Sequence, residues 1–378
     1  MLLGIPYHAA LIFATGEDWL VVAPDRSAAF QVLADFMRVW RMPTFFVIAG
    51  FFAVLMLRRR GPRAWLRGRA MRLGLPLLFG LLLVNPIAIF LRTLVVSGSP
   101  RDARTELMTS AALFPGGFVE HLWFLVELLI YCTVFALIAM TPLRHKLGRA
   151  GELLIGYATR STLSVIVALI VLSAVVAGAL ASWNYFQVYE LTRGLVSHRM
   201  AYYAPFFVLG CVLALNDEYR KRVLTRPSSV TFVIAGAMLI AFILLNVLIP
   251  EPSIAIEVAQ ATAATVGGAF CARVLFWLAG RIFTARNGLV DWLVSSSIVI
   301  YIVHQPVVVL TALFVLPVGL PSILSWLAII TITLVTSAVL SWLLMKWRPL
   351  RVLATGSARP QTGFVITPPR DRRKAPSL

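Results

Sequence analysis

The chain has 378 residues, of which 60% are hydrophobic and only 13% are charged, and its mean hydropathy is +0.87. A soluble domain cannot bury so much apolar surface, so the composition excludes a soluble globular protein and indicates an integral membrane protein. The formal net charge of +18 does not indicate nucleic-acid binding. The basic residues concentrate in short loops and a tail beside apolar segments, where they orient helices and contact the lipid bilayer.

Apolar runs along the chain predict an all-α, polytopic membrane protein of about ten transmembrane helices, since each crossing needs about 20 mainly apolar residues. Residues 1–14 are apolar but too short to cross, and they lack the basic start and cleavage site of a signal peptide. We expect this segment to be the outer half of a helix whose beginning is missing from this sequence. The longer runs lie near residues 42–57, 73–96, 122–141, 162–182, 201–215, 229–249, 254–279, 290–316 and 322–345.

A dense group of arginines between the first two long runs predicts the orientation of the protein. Cytoplasmic loops carry the Lys and Arg excess of membrane proteins. We therefore expect this connection and the C-terminus on the cytoplasmic side, together with the loops at 142–161, 216–228 and 280–289. The loops near 15–35, 97–120 and 183–200 are expected outside. The arginines are Arg58, Arg59, Arg60, Arg63, Arg67, Arg69 and Arg72.

This orientation predicts a multi-pass protein of a cell inner membrane with two regions. Residues 1–350 form the membrane domain, and residues 351–378 form a basic, proline-containing cytoplasmic tail that we expect to be disordered.

Ionisable residues within or beside membrane spans are costly, and each is a candidate functional residue. In the predicted topology most of them lie in the outer half of the membrane, at a common level. They are His8, Arg38, Arg41, Glu120, His121, Glu127 and His304.

His8 and Arg41 are the first candidates for catalysis. The neutral imidazole of His8 can accept a proton from a hydroxyl as a general base, although a core histidine bonded to a neighbouring helix is an equal alternative. Arg41 can bind a carboxylate or phosphate, and Pro43 is expected in the first turn of the span. Arg38 fits an anchor at the membrane interface better than a ligand.

Glu127 and His304 lie on two further predicted spans. Glu127 follows His121 on roughly the same helical face, and either catalysis or a structural bridge to an arginine explains it. His304 precedes Pro306, which frees a helical carbonyl and can kink the helix beside the imidazole. A polar contact between helices is the alternative for His304.

The sequence does not indicate other common chemistries. Cys132, Cys211 and Cys271 lie in apolar runs without metal-ligand spacing, so we predict no metal site. G-x-S-x-G, H-E-x-x-H and Gly-rich phosphate-binding motifs were not found, which leaves hydrolase, zinc-protease and nucleotide-binding functions without support.

Four short motifs follow one another along the chain and together resemble acyltransferase family 3. The resemblance extends from residue 1 to about residue 350 and is strongest to the branch that acts on periplasmic glucans. The motifs are GIPYHAA at 4–10, WRMPTFFVIAGFF at 40–52, HLWFL at 121–125 and YIVHQP at 301–306.

The resemblance implies a ten-helix enzyme that moves a succinyl or acetyl group from acyl-CoA onto a hydroxyl of a glycan or other envelope acceptor. Acyl-CoA would be the donor substrate, and no cofactor would be bound. His8 matches the first-helix histidine of the family, although the arginine that precedes it in the family would fall before Met1. In this role His8 would deprotonate the acceptor hydroxyl or accept the acyl group itself. We assign catalysis to His8, Arg41 and Glu127, and substrate binding to the residues named next. These are Arg38, His121, Trp123 and His304.

A polytopic transporter or flippase for a lipid-linked or acidic solute is the main alternative, with His8, Arg41, Glu127 and His304 as substrate and proton sites. A non-catalytic membrane scaffold is a third. No internal repeat is visible, which weakens a transporter built from two related halves. Consumption of acyl-CoA would distinguish an acyltransferase from a transporter and from a scaffold.

Overall fold

The computed structural model describes residues 2–16, 19–158, 199–215, 217, 220–221, 225–249, 253–282 and 288–357. In this part of the chain every regular element is helical. We number its helices in chain order as α1 (Gly4–Leu11), α2 (Ala28–Arg60), α3 (Pro62–Ser97), α4 (Pro100–Ala112), α5 (Trp123–Ala139), α6 (Leu143–Ala158), α7 (Arg199–Leu215), α8 (Ser229–Leu248), α9 (Ile254–Ile282), α10 (Gly288–Val315), α11 (Ser322–Lys346) and α12 (Arg348–Thr355).

Seven helices of the described residues are long and apolar enough to cross a membrane: α2, α3, α5 with the turn before it, and α8 to α11. The shorter helix α7 is also apolar, and α1 has only 8 residues. The predicted all-α polytopic fold is confirmed, and the chain is an integral membrane protein. Three predicted segments lie outside the described residues: the span at 162–182, most of the loop at 183–200 and the tail from residue 358. The first residues of the predicted tail, 351–355, belong to helix α12.

Helix α2 begins much earlier than the apolar run at 42–57 predicted. Ser27 caps it, its Oγ accepting a hydrogen bond from the amide of Ala29 at 3.2 Å, and Phe30 and Ala34 bury one helical face. Pro43 therefore lies inside the helix, and the expectation of a first-turn position was wrong. The apolar run marks only the part of α2 that is hydrophobic on all sides, which explains the error.

The arginine-rich connection is not an extended loop. Helix α2 continues to Arg60, the chain reverses at Gly61 with φ +75°, and α3 starts at Pro62. Glycine adopts this left-handed conformation without steric cost, and proline is favoured in a first helical turn. The arginines therefore project from two adjoining helix ends, and the predicted loops at 97–120 and 142–161 likewise contain helices α4 and α6.

Helix α3 widens into π-helical turns at Ala70–Gly74 and Gly80–Val84. The first wide turn ends two residues before Pro76, and the second ends two residues before Pro86. Each proline lacks an amide hydrogen and so removes one hydrogen bond of the helix. After the second turn Asn85 is fully buried and donates from Nδ2 to the carbonyl of Phe118 at 2.7 Å. This bond holds the segment that leads into α5.

Two apolar clusters meet on α10. The larger one joins α2, α3, α5 and α7 and includes Tyr301. The second joins α1, α2, α10 and α11 around Ile5, Ala9 and Ile300. Because Ile300 and Tyr301 are adjacent, this stretch of α10 packs against α1 through one residue and against α5 through the next.

Candidate active site

Three histidines from three separate elements gather where α1, α5 and α10 meet. His304 of α10 lies between the other two, with ring centroids 5.3 Å from His8 of α1 and 5.4 Å from His121 in the turn before α5. His121 and His304 are buried, whereas His8 is partly exposed. The three side chains that the sequence placed at a common level are therefore neighbours.

Pro306 prepares the backbone of α10 to hold His121. Proline has no amide hydrogen, so it cannot bond to the carbonyl of Ile302 four residues earlier. His121 instead donates from Nε2 to the carbonyls of Ile302 at 2.9 Å and Tyr301 at 3.1 Å. The Tyr301 hydroxyl in turn donates to the carbonyl of His121. The prediction that Pro306 frees a helical carbonyl is confirmed.

Backbone carbonyls also fix the tautomers of two histidines. A carbonyl only accepts hydrogen bonds, so the proton of His121 is on Nε2, and that of His304 is on Nδ1, which donates to Tyr301 at 2.6 Å. In the neutral rings, Nδ1 of His121 and Nε2 of His304 therefore carry lone pairs. Both atoms, and Nδ1 of His8, are buried without a hydrogen-bond partner among the described residues.

A glycine allows α1 to approach this cluster. A Cβ atom on Gly4 would lie 2.7 Å from Nε2 of His304, closer than real Cβ contacts allow. Gly4 is one helical turn before His8, so its missing side chain lets His304 face the same side of α1 as His8. Trp326 of α11 holds the helix from the other side, donating from Nε1 to the carbonyl of Pro6 at 3.3 Å.

Arg41 of α2 and Trp19 of the loop before α2 complete the surroundings of His8. Arg41 donates from Nη1 to the carbonyl of Leu3 at 3.1 Å, and its Cζ lies 3.9 Å from the ring centroid of Tyr7. Trp19 stacks on the His8 ring at 5.4 Å. Since a guanidinium has five N–H groups, Arg41 can hold α1 and still bind an anionic group or a developing oxyanion.

Helix α5 contributes Glu127 and Trp123 to an aromatic layer next to the histidines. Glu127 is only 1% exposed and lies one helical turn after Trp123. Trp123 stacks on Tyr203, with ring centroids 5.7 Å apart. A carboxylate among aromatic faces suits a ligand that carries hydroxyl groups.

The other two ionisable candidates have partners of their own. Arg38, half exposed, pairs with Asp35 at 3.8 Å and lies over the ring of Phe242 at 5.1 Å. Glu120 pairs with Arg92 at 3.8 Å and accepts a bond from Gln305 at 3.4 Å. The structure thus brings His8, Arg41, His121 and His304 together and places Arg38 against α8.

Several residues at the site could not be predicted from the pattern of ionisable residues. Gly4, Tyr7 and Tyr301 stand in the motifs but carry no charge at neutral pH. Trp19 lies in a loop without periodicity and could be found only from the fold. Among the described residues, no group of three or more His, Cys, Asp or Glu side chains is arranged to hold a metal ion.

Comparison with known proteins identifies the class of this fold and site. The family model for the acyltransferase domain of acyltransferase family 3 matches residues 1–345. The chain therefore belongs to acyltransferase family 3, and it is a membrane acyltransferase.

Individual relatives agree with this assignment. Glucans biosynthesis protein C of Escherichia coli O6:K15:H31 (strain 536 / UPEC) is 27% identical over 325 residues, which cover 84% of this chain and 81% of the relative. The protein of the same name from Salmonella gallinarum (strain 287/91 / NCTC 13346) is 26% identical over 323 residues, covering 84% and 82%. No solved structure is significantly similar to the chain.

Proposed function

We propose that this acyltransferase moves a succinyl or acetyl group from acyl-CoA onto a hydroxyl of a glycan or other cell-envelope acceptor, with His8 as general base. The observation that carries the proposal is the position of His8, partly exposed beside Arg41 and next to two buried imidazoles with unpaired nitrogens. The relatives named for glucan biosynthesis support a glycan as acceptor.

The reaction follows from these groups. His8 takes the proton of the acceptor hydroxyl, and the oxygen attacks the carbonyl carbon of the thioester. The carbon–sulfur bond then breaks, an ester forms, and the CoA thiolate leaves as a thiol with the proton from His8. Arg41 binds the negative charge that develops on the thioester oxygen, or an anionic part of the donor.

The proposed location is a cell inner membrane with the C-terminus in the cytoplasm. The arginines at the junction of α2 and α3 support this orientation, since basic residues concentrate on the cytoplasmic side. Acyl-CoA would reach the histidines from the cytoplasm and the acceptor from the opposite side.

The test uses the purified full chain in lipid nanodiscs with radiolabelled succinyl-CoA or acetyl-CoA and periplasmic glucans. We expect label on the glucan together with an equal amount of free CoA thiol. His8→Ala should lower kcat by about 10³-fold, the usual contribution of a general base. His145→Ala, which changes an exposed histidine on α6, is the matched control and should keep full activity.

Two results would contradict the proposal. If intact protein releases no thiol from either donor, the proposed donor class is wrong, and movement of solute without thiol release would favour the transporter alternative. If His8→Ala transfers acyl groups at the rate of His145→Ala, His8 is not the base.

A further inference from the structure

We propose that His304 is a positioning residue that accepts a hydrogen bond from Nδ1 of His8 and so leaves Nε2 of His8 as the basic nitrogen. The inference rests on the proposed function of His8. It gives His304 a different role from the substrate binding that the motif suggested.

The protons of the three rings determine which hydrogen bonds the cluster can form. His121 uses its N–H on the carbonyls of Tyr301 and Ile302, and His304 uses its N–H on Tyr301. Each of these neutral rings then has only a lone pair left for the cluster. Two lone pairs cannot bond to each other, so His121 cannot satisfy Nε2 of His304.

Of the three clustered rings, His8 is the one whose N–H has no backbone carbonyl as acceptor among the described residues. Its Nδ1 is buried without a hydrogen-bond partner, as is Nε2 of His304, and the two ring centroids are 5.3 Å apart. A direct bond after a small rotation, or a single bridging water, spans this distance. Gly4 keeps the space beside Nε2 of His304 open towards α1.

A hydrogen bond from Nδ1–H of His8 to His304 would fix which nitrogen of His8 is basic. In the neutral ring only one nitrogen carries the proton, so Nε2 then has the lone pair and can take the proton of the acceptor hydroxyl. The positive charge that develops on His8 would strengthen the bond to His304. His304 keeps its own Nδ1–H and touches no reacting atom, which is the role of an orienting group beside a base.

Two amide variants separate this role from the alternatives. In His304→Gln the side-chain oxygen reaches the position of Nε2 and can accept from His8, but the bond to Tyr301 is lost. In His304→Asn the shorter amide keeps the bond to Tyr301 and leaves His8 without an acceptor. Size-exclusion profiles and thermal unfolding of both variants first establish that they fold.

We expect His304→Asn to lower kcat by about 100-fold with KM for donor and acceptor unchanged, because the base loses its orientation. The kcat of His304→Gln should stay within about tenfold of the wild type, because its side-chain oxygen still accepts the hydrogen bond from His8. Adding His304→Asn to His8→Ala should cause no further loss, since the two residues act as one unit.

Three kinetic results would overturn the proposal. A higher KM with unchanged kcat in both variants would make His304 a substrate-binding residue. An active Asn variant with an inactive Gln variant would show that the bond to Tyr301 is what matters. A further loss in the double variant would show that the two histidines act independently.

A second readout needs no turnover and separates this proposal from the proposed function. Nitrogen-15 NMR of histidine-labelled protein in bilayers reports the tautomer of each ring, and the chain has only 5 histidines to assign. We expect the Nδ1–H tautomer for His8 in the wild type and a mixture in His304→Asn. An unchanged tautomer would overturn the positioning role even in an active enzyme. A changed one would support it even in a chain that transfers no acyl group.

Discussion

Gly4 is the residue on which the contact between α1 and His304 depends. In Gly4→Ala the new Cβ would lie 2.7 Å from Nε2 of His304, so either α1 or the ring of His304 must move by several tenths of an ångström. We expect kcat to fall on the order of tenfold, because small misplacements of a catalytic group are costly. Gly236→Ala is the control, since a Cβ there meets nothing within 4 Å. Equal kcat values for the two variants would show that the close approach is not needed.

The histidine cluster shows what single residues reveal before a structure exists. His8 and His304 stood out because ionisable groups are rare in membrane spans, and Pro306 indicated a freed carbonyl. The partner of that carbonyl could not be predicted, because His121 is separated from Ile302 by 181 positions and the contact depends on how α5 packs against α10. Tautomers depend on the same contacts, so the sequence could not show which nitrogens are basic.

At the scale of helices, proline and glycine together explain close contacts that hydrophobicity does not reveal. Pro43 leaves the carbonyl of Val39 without its helical donor, and Gly268 of α9 packs against that oxygen, where a Cβ would be 2.8 Å away. Apolar runs predicted that these helices exist but misplaced the start of α2. The part of α2 before Arg41 is amphipathic and buried on one face only, so its sequence does not form a continuous apolar run.

Helices α2 and α7 pack through two reciprocal glycines. A Cβ on Gly50 would clash with the carbonyl of Phe207, and a Cβ on Gly210 would clash with the carbonyl of Val47. Either Gly→Ala change forces the backbones apart, so we expect each to lower the free energy of unfolding by about 1–3 kcal/mol. The double variant should cost less than the sum because both changes separate the same helices.

The measurement for this pair is thermal unfolding in detergent, with Gly280→Ala as control because a Cβ there has no neighbour within 4 Å. A double variant that unfolds at the temperature of the control would show that the glycines do not determine the packing of α2 on α7.

Considered as a whole, the molecule keeps its densest group of arginines and its histidine cluster on different parts of the fold. The arginines lie at the junction of α2 and α3, whereas His8 and His304 lie where α1 packs against α10, next to the apolar cluster that joins these two helices. Under the proposed function, a polyanionic donor and a bulky glycan would reach one site from opposite sides of the membrane. Only the thioester and one hydroxyl have to enter the buried region, which keeps water from the thioester.

The proposed orientation predicts opposite accessibility for the junction of α2 and α3 and for α4. Arg59 is exposed at the end of α2, and Met108 is 67% exposed on α4. In a background where Cys132, Cys211 and Cys271 are alanine, Met108→Cys should react with a membrane-impermeant maleimide on intact spheroplasts. Arg59→Cys should react only after permeabilisation, because basic helix ends stay in the cytoplasm. The reverse labelling pattern would place the arginines outside the cell and would contradict the proposed entry of acyl-CoA from the cytoplasm. Labelling of both cysteines in intact spheroplasts would contradict a single orientation of the protein.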